Sequence, residues 1–433
     1  MNRPTHPARA GSLKPEFGGG HVNLDHTGSN ALVRALIPSN EGGLFALSQR
    51  PSLAGDYVTK FTSTGELDAA FVRGRGFFHD ALGNGNHLHL LADERILVTG
   101  ALGNELIVTC YNADGTHHTP YGVGGRVRLR VSELVVHEHK RARLVEPTVS
   151  DPQANGTSGL PGRAGSLTQS LVAGDKLYLI FPVRWDGDGA TMSVVVRLDG
   201  RGGVDRAFNQ TGYCVVTMAG TGVADNAPID AVVQPSAHPD HQAIVLLVAE
   251  LVGLSQERKY LLCVTAQGLD YGFGQSALLP GYVLVPQSSG FTAAALLGGE
   301  GGLRVIGGTG YTDNFAGIVF GFTARGAVAP DFNHGEPLLT PGENGWVQGA
   351  FHGEGEAERM VLMTYLFQNG SKVALVRLLA DGQPDTDFGD GGTVAIAYVV
   401  SGWASAPQMR VTSAPARDVL LGFQADVYWL LGS

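Results

Sequence analysis

The chain has 433 residues, of which 43% are apolar and 16% charged, and its 30 Lys+Arg against 40 Asp+Glu give a net charge of −10. That apolar content excludes general disorder, and the acidic balance argues against a nucleic-acid binder or an anionic-membrane binder, because phosphate contacts need a clustered basic face. Glycine supplies 62 residues, about twice the average share, which predicts many turns and few long helices.

The first ten residues hold Pro4 and Pro7 and no apolar core, so no signal peptide is expected. The longest apolar stretch, 243–254, contains Glu250 and is shorter than the roughly 18 residues of a membrane span. The expectation is a soluble cytoplasmic protein with no membrane partner, leaderless export being left open. Cys110, Cys214 and Cys263 are far apart, with no CxxC pair, and read as buried small apolar residues rather than a zinc site or disulfide framework.

In chain order, one short signature recurs seven times. It begins as Leu13-Lys14-Pro15-Glu16-Phe17-Gly18, then Gly65-Glu66-Leu67-Asp68-Ala69-Ala70-Phe71, then His117-His118-Thr119-Pro120-Tyr121-Gly122. It continues as Gly203-Val204-Asp205-Arg206-Ala207-Phe208, Gly268-Leu269-Asp270-Tyr271-Gly272-Phe273 and Val328-Ala329-Pro330-Asp331-Phe332, and ends as Gly382-Gln383-Pro384-Asp385-Thr386-Asp387-Phe388-Gly389-Asp390-Gly391-Gly392. The anchor aromatics are spaced by 50–65 residues except for the 87 between Tyr121 and Phe208. Between anchors, alternating apolar runs are punctuated by Asn-Gly, Asp-Gly and Gly-Gly turns, which leaves room for four short strands per unit.

Units of this size with four strands predict an all-β chain, a seven-bladed β-propeller of four-stranded antiparallel blades in one domain spanning 1–433. After Phe388 the expected strands are 393–400, 408–413, 419–424 and 426–431, with closure near the termini. The long interval predicts a loop insertion at 132–165 within the third blade. Each anchor aromatic is expected between neighbouring blades, and Asp68, Asp205, Asp270 and Asp385 are expected to cap turn N–H groups rather than to bind calcium.

The signature resembles the delta-60 repeat family of bacterial propeller-like proteins, whose units end in Asp-Gly-x-Leu-Asp-x-x-Phe-Gly-x-Gly-Gly. The best match is 380–392, and the resemblance covers nearly the whole chain. It departs at Lys14, His118, Tyr121 and Ala329. The resemblance implies a scaffold and carries no reaction.

Departures from the repeat are where a site is sought. The insertion opens with His137-Glu138-His139-Lys140-Arg141-Ala142-Arg143 and continues through a Gly/Pro-rich stretch, a candidate partner-contacting loop or lid. Alternation in Arg126-Val127-Arg128-Leu129-Arg130 places three guanidiniums on one face of a strand expected to be innermost, suited to an anionic ligand or else paired with nearby acids. Trp346 and Trp403 stand about equally far past their anchors, as sugar-stacking rings or as groove fillers. His87 and His89 share a strand face near His79 and Asp80, but no third metal ligand is identified, so neither metal nor cofactor is expected. No GxSxG, HExxH or P-loop motif is present. These features favour a monomeric, non-enzymatic binding scaffold for a protein or small ligand. The alternatives are a carbohydrate-binding propeller and a channel-centred hydrolase or lyase acting on an anionic substrate.

Overall fold

The structure, a computed structural model, describes residues 10–24, 26, 31–50, 53–137, 140–145, 169–186, 190–218, 225–234, 243–250, 258–274, 280–286, 291–309, 316–341, 345–352, 358–366, 372–397, 408–412, 418–423 and 425–432. It is all-β apart from short helical turns, and its seven antiparallel sheets, each with four blade strands and two of them extended by additional short strands, are the blades of a seven-bladed β-propeller. The chain forms two compact units: 83–345 holds blades 2 to 5, and 1–82 with 346–433 holds blades 1, 6 and 7.

Blade 1 is built from Leu32–Pro38, Leu44–Arg50, Leu53–Phe61 and Phe77–Asp80, and blade 2 from Gly85–Leu90, Ile96–Leu102, Glu105–Tyr111 and Arg126–Arg130. Blade 3 comprises Gln169–Ala173, Lys176–Trp185, Thr191–Leu198 and Tyr213–Val215; blade 4 comprises Asn226–Val233, Ile244–Glu250, Lys259–Thr265 and Tyr282–Leu284. Thr292–Gly299, Gly302–Thr309, Ala316–Phe322 and Leu338–Pro341 make blade 5, and Gln348–His352, Arg359–Leu366, Lys372–Leu379 and Thr393–Ala397 make blade 6. Blade 7 takes Gln408–Val411, Val419–Phe423 and Asp426–Leu430 from late in the chain and its fourth strand, His21–Asn23, from the beginning. The expected closure is therefore corrected in detail. Residues 393–397 finish blade 6, and the N-terminal strand completes blade 7.

Middle strands are buried on both faces, which is why they read as continuous apolar runs. All seven positions of Ile244–Glu250 and of Lys259–Thr265 are buried. Alternation then divides them: Ile244, Leu246 and Val248 join the core with blade 3, while Val245 and Leu247 join the core with blade 5. The three cysteines lie in these inter-blade cores outside any disulfide, and burial pushes Cys110 and Cys214 up to about 11.

The signature joins the third strand to the fourth by one invariant backbone arrangement. In all seven blades the residue three before the anchor aromatic donates its N–H to a carbonyl of the third strand at 2.8–3.0 Å: Asp68 to Lys60, His118 to Cys110, Asp205 to Arg197, Asp270 to Cys263, Ala329 to Gly321, Asp385 to Arg377 and Lys14 to Trp429. The aromatics are buried. Within the units, the residue after the aromatic donates to the turn of the next blade at 2.8–2.9 Å, as from Gly18 to Thr64, Gly122 to Arg201, Asn209 to Ala266, Gly274 to Arg325 and Gly389 to Ala10. The aspartate side chains cap the turn as expected, Asp68, Asp205 and Asp270 accepting from Ala70, Ala207 and Gly272. Turn glycines such as Gly202 and Gly326 combine φ +82° with contact on the preceding blade's aromatic, where a Cβ would lie 2.8 Å from the Tyr121 or Phe273 ring.

Side chains at the same two positions vary in a compensated way. Lys60–Asp68, Arg197–Asp205 and Arg377–Asp385 are ion pairs. Blade 5 replaces both partners, by Gly321 and Ala329, and a guanidinium arrives instead from Arg304, directly across from Gly321, to sit 4.5 Å from the Phe332 ring. Blade 7 reverses the polarity: Lys14 lies on the signature, 4.2 Å from the Trp429 ring, and both Lys14 Nζ and Trp429 Nε1 donate to Asp418, at 3.1 and 2.7 Å.

The residue after each anchor has a left-handed φ of 45–78°, filled by glycine in four blades, Asn in two and Val72 in blade 1. A β-branched residue there is strained by ~1–2 kcal/mol. Val72→Gly should raise the unfolding free energy by roughly 1 kcal/mol, after allowance for the half-buried side chain it removes. An unchanged or lower urea midpoint would refute that.

Candidate functional site: the variable strand ends

Each blade has one end built from the signature and its tight turn and an opposite end built from the second-to-third strand connection and the approach to the first strand. The first end repeats its backbone. The second does not repeat its side chains.

First strands adjoin one another from blade 2 through blade 5 within one unit, and blade 7 adjoins blades 6 and 1 within the other. Cross-strand register identifies one equivalent position in every first strand, held by Ala35, His87, Gln169, Asp230, Ala295, Gln348 and Gln408. Polar side chains here and beside it reach the neighbouring blade. Gln169 Nε2 donates to the Ile229 carbonyl at 3.2 Å, Asp230 Oδ2 accepts from the Leu296 N–H at 3.0 Å, and Gln348 Oε1 accepts from the Met409 N–H at 2.7 Å. His89 Nε2 lies 2.7 Å from Ser170 Oγ, which lies 2.6 Å from Thr99 Oγ1. Ser170 and Thr99 are buried and His89 half-buried, so this trio joins blades 2 and 3 and meets solvent through the imidazole. Blade 1 carries its own row, with Arg34 Nε donating to Gln49 and Gln49 Nε2 to Asp56, at 3.0 and 2.7 Å. Burial pulls the Arg34 guanidinium below its ordinary value, and the Asp56 charge works against that shift. Next to it Tyr57 is flanked by Arg50, 5.0 Å from its ring, and by the stacked His79 ring at 4.5 Å. The buried members of these rows tie neighbouring strands and blades together, and the partly exposed Arg34, Gln49, Arg50 and His89 and the exposed His79 are the groups that can meet a polar or ionic ligand.

The residues singled out from sequence do not all converge on one place. Arg126, Arg128 and Arg130 form the fourth strand of blade 2, not an innermost one, because the signature leads into the fourth strand and the first strand comes later. Arg126 Nε donates to Thr109, while Arg128 and Arg130 bind Glu105 at 2.6 and 3.1 Å. Hydrogen bonds from Arg130 and Arg128 hold the Glu105 carboxyl below its ordinary value. The opening of the insertion is also ordered structure rather than loop. Val131–Leu134 is a helical turn, Val136–His137 pairs with Lys140–Leu144, and the latter strand extends the blade 3 sheet against Lys176–Trp185. Apolar Ala142 and Leu144 enter the core between blades 2 and 3, which explains why this segment folds down. Lys140 is half-buried and Arg141 exposed; His139 and the rest of the insertion, from 146 to 165, lie outside the described residues, as does the His137 side chain.

Trp346 is only 4% exposed, so its ring presents no face to a sugar and fills a groove instead. Trp403 lies outside the described residues. His87 is half-buried, and among the described residues no group of three potential metal ligands forms. Among the described residues, too, no helix is long and apolar enough to cross a membrane. Arg34, Gln169, Ser170 and Asp230 were not singled out from sequence. Polar residues recurring in otherwise apolar first strands are the signal that would have found them, once the seven units are aligned by strand rather than by signature.

No protein-family model and no curated protein matches the sequence. Among solved structures the chain is similar to the β-propeller domain of the Trilobed protease from Pyrococcus furiosus, at 7% identity over 94% of this chain and 97% of that one, with a TM-score of 0.45. It is similar also to an acylaminoacyl peptidase (9% identity, 93% of this chain, 53% of that, TM-score 0.42) and to TolB from Acinetobacter baumannii (12%, 73%, 55%, TM-score 0.34). The chain thus spans about half the length of these last two. Scores this low carry no functional argument, so the reading rests on the chain's own residues.

Proposed function

We propose that this chain is a binding scaffold of the delta-60 repeat type, which presents the variable ends of its blades to a partner. The observation that carries this reading is the contrast between the two ends: one backbone hydrogen bond repeated in seven blades at the signature, against first strands whose equivalent position changes from Ala35 to His87, Gln169 and Asp230. A scaffold needs its framework alike and its contact residues different. Native mass spectrometry of the protein taken gently from its host tests the reading. Excess mass of protein size is expected, retained when signature-turn residues such as Glu66 are replaced and lost when Arg34 and Gln49 are replaced. Turnover of a substrate, abolished by replacements at the variable ends, would overturn it.

A further inference from the structure

We infer that the surface made by the 102–105 turn, the Arg126–Arg130 strand and the hairpin of Val136–His137 with Lys140–Leu144 docks an extended acidic segment of a partner protein. The inference rests on the scaffold reading and names its partner class. In a chain with 30 cationic side chains and a net charge of −10, six Lys and Arg fall within 126–143.

The turn at 104–105 gathers them. The Asn104 carbonyl accepts from the Val131 N–H at 3.1 Å and its side chain from the Leu144 N–H at 2.8 Å, which binds the end of the arginine strand and the end of the hairpin to one point. Glu105, next in sequence, takes Arg128 and Arg130; Arg130 also reaches Glu133 at 3.1 Å; and Arg143, across from exposed Arg184, reaches Asp186 at 2.7 Å. Arg128, Arg130 and Arg143 remain 59–70% exposed. Among the described residues, five exposed arginines, counting Arg141 and Arg184, thus face three carboxylates, and this part of the surface is cationic on an acidic protein.

The carboxylates orient the guanidiniums without exhausting them. Arg130 uses Nε and one Nη, leaving other N–H groups of its five for a ligand. Side chains already held in place lose less rotamer freedom when a ligand arrives. Arg128 and Arg130 are two apart on one strand, a spacing of about 6.6–6.8 Å that alternate carboxylates of an extended segment share. Two exposed apolar side chains lie among the charges: Leu102, across from Glu105, is 54% exposed, and Val136, across from Arg141, is 45% exposed. Apolar contacts amid arginines match a protein segment with apolar side chains between its acids, which polysaccharides and nucleic acids do not offer in that form.

The probe is a fluorescein-labelled peptide alternating Glu with Val and Leu, compared with its Gln counterpart by anisotropy against the full chain. The acidic peptide should bind at least about tenfold tighter than the Gln peptide and weaken several-fold between about 50 and 200 mM salt. R128Q/R130Q and R141Q/R143Q should each reduce binding about tenfold, and L102S/V136S about fivefold, with unfolding midpoints checked to show that each variant folds. Equal binding of the two peptides, or arginine variants that bind like wild type, would overturn the proposal. So would tighter, equally arginine-dependent binding of a heparin hexasaccharide or an oligonucleotide. If the host partner seen by native mass spectrometry stays on the fourfold arginine variant, this surface is excluded while the scaffold reading stands.

Discussion

Asp385→Ala is expected to destabilise the protein by about 3–5 kcal/mol, because it removes one partner of a buried ionic hub and leaves the other charge behind. Asp385 is 4% exposed, and its Oδ2 accepts from Arg377 Nε at 2.8 Å and from Arg359 Nε at 2.6 Å. Arg377 is as buried as its acid, lies 4.7 Å from the Phe388 ring and also donates to the Gly432 carbonyl, so it cannot turn to water without opening the blade 6–blade 7 contact. Arg359 is a third exposed and can turn outward, which places the effect below that of two stranded charges. Burial works against the Asp385 charge, but the Arg377 charge and the Arg359 hydrogen bond outweigh it and hold the carboxyl below its ordinary value. A carboxyl lowered in the folded state stabilises fully above the unfolded pKa of about 4 and loses that contribution as pH falls through the folded value. Urea unfolding of wild type and Asp385→Asn should therefore show a gap at neutral pH that narrows below about pH 4. A gap independent of pH, or an alanine variant within 1 kcal/mol of wild type, would refute the hub.

Phe208→Ala should cost about 3–5 kcal/mol, the range for emptying a fully buried aromatic site. Phe208 has no exposed surface, sits in the core between blades 3 and 4, meets Tyr178 edge-on at 5.9 Å and lies 4.9 Å from the Arg197 guanidinium. It stands between two backbone bonds, its own N–H to Asp205 and the Asn209 N–H to Ala266 of the next blade, at 2.9 and 2.8 Å. Loss of the ring should then raise amide exchange around 209–215 and 266–269 ahead of the rest of unit 83–345. Phe208→Leu, which refills much of the volume, should recover more than half of the loss. Uniform exchange across the unit would show that the aromatic adds stability without holding the blade contact.

The seven anchors were legible because their demands are local: a turn, a carbonyl within reach and a large ring to bury. Strand order was less legible because it depends on pairing between distant segments. Units read from signature to signature put 393–400 into the last blade and Arg126–Arg130 on an inner strand, whereas a blade runs from its first strand to the strand after its signature. Lys14 looked like a decayed copy of aspartate for a related reason. Its meaning lies in Trp429 and Asp418, more than 400 residues away, where the basic and acidic roles are exchanged. The polar first-strand position stayed hidden because His87, Gln169, Asp230 and Gln348 align by cross-strand register and not by distance from their anchors.

The split composition of blade 7 sets the order of events during synthesis. Residues 21–23 leave the ribosome some 400 residues before 426–428, their strand partners, an interval of about 20–80 s at ordinary elongation rates. Until then the Lys14–Phe17 segment has no blade of its own to close, while Lys60, Arg197 and Arg377, the third-strand positions of three blades made earlier, already carry positive charge. A lysine in the early signature is repelled by each of these three and matched by the Trp429–Asp418 pair. The exchanged polarity thus works like an address label against blades 1, 3 and 6, whose cations disfavour Lys14, and for blade 7, whose Asp418 accepts it.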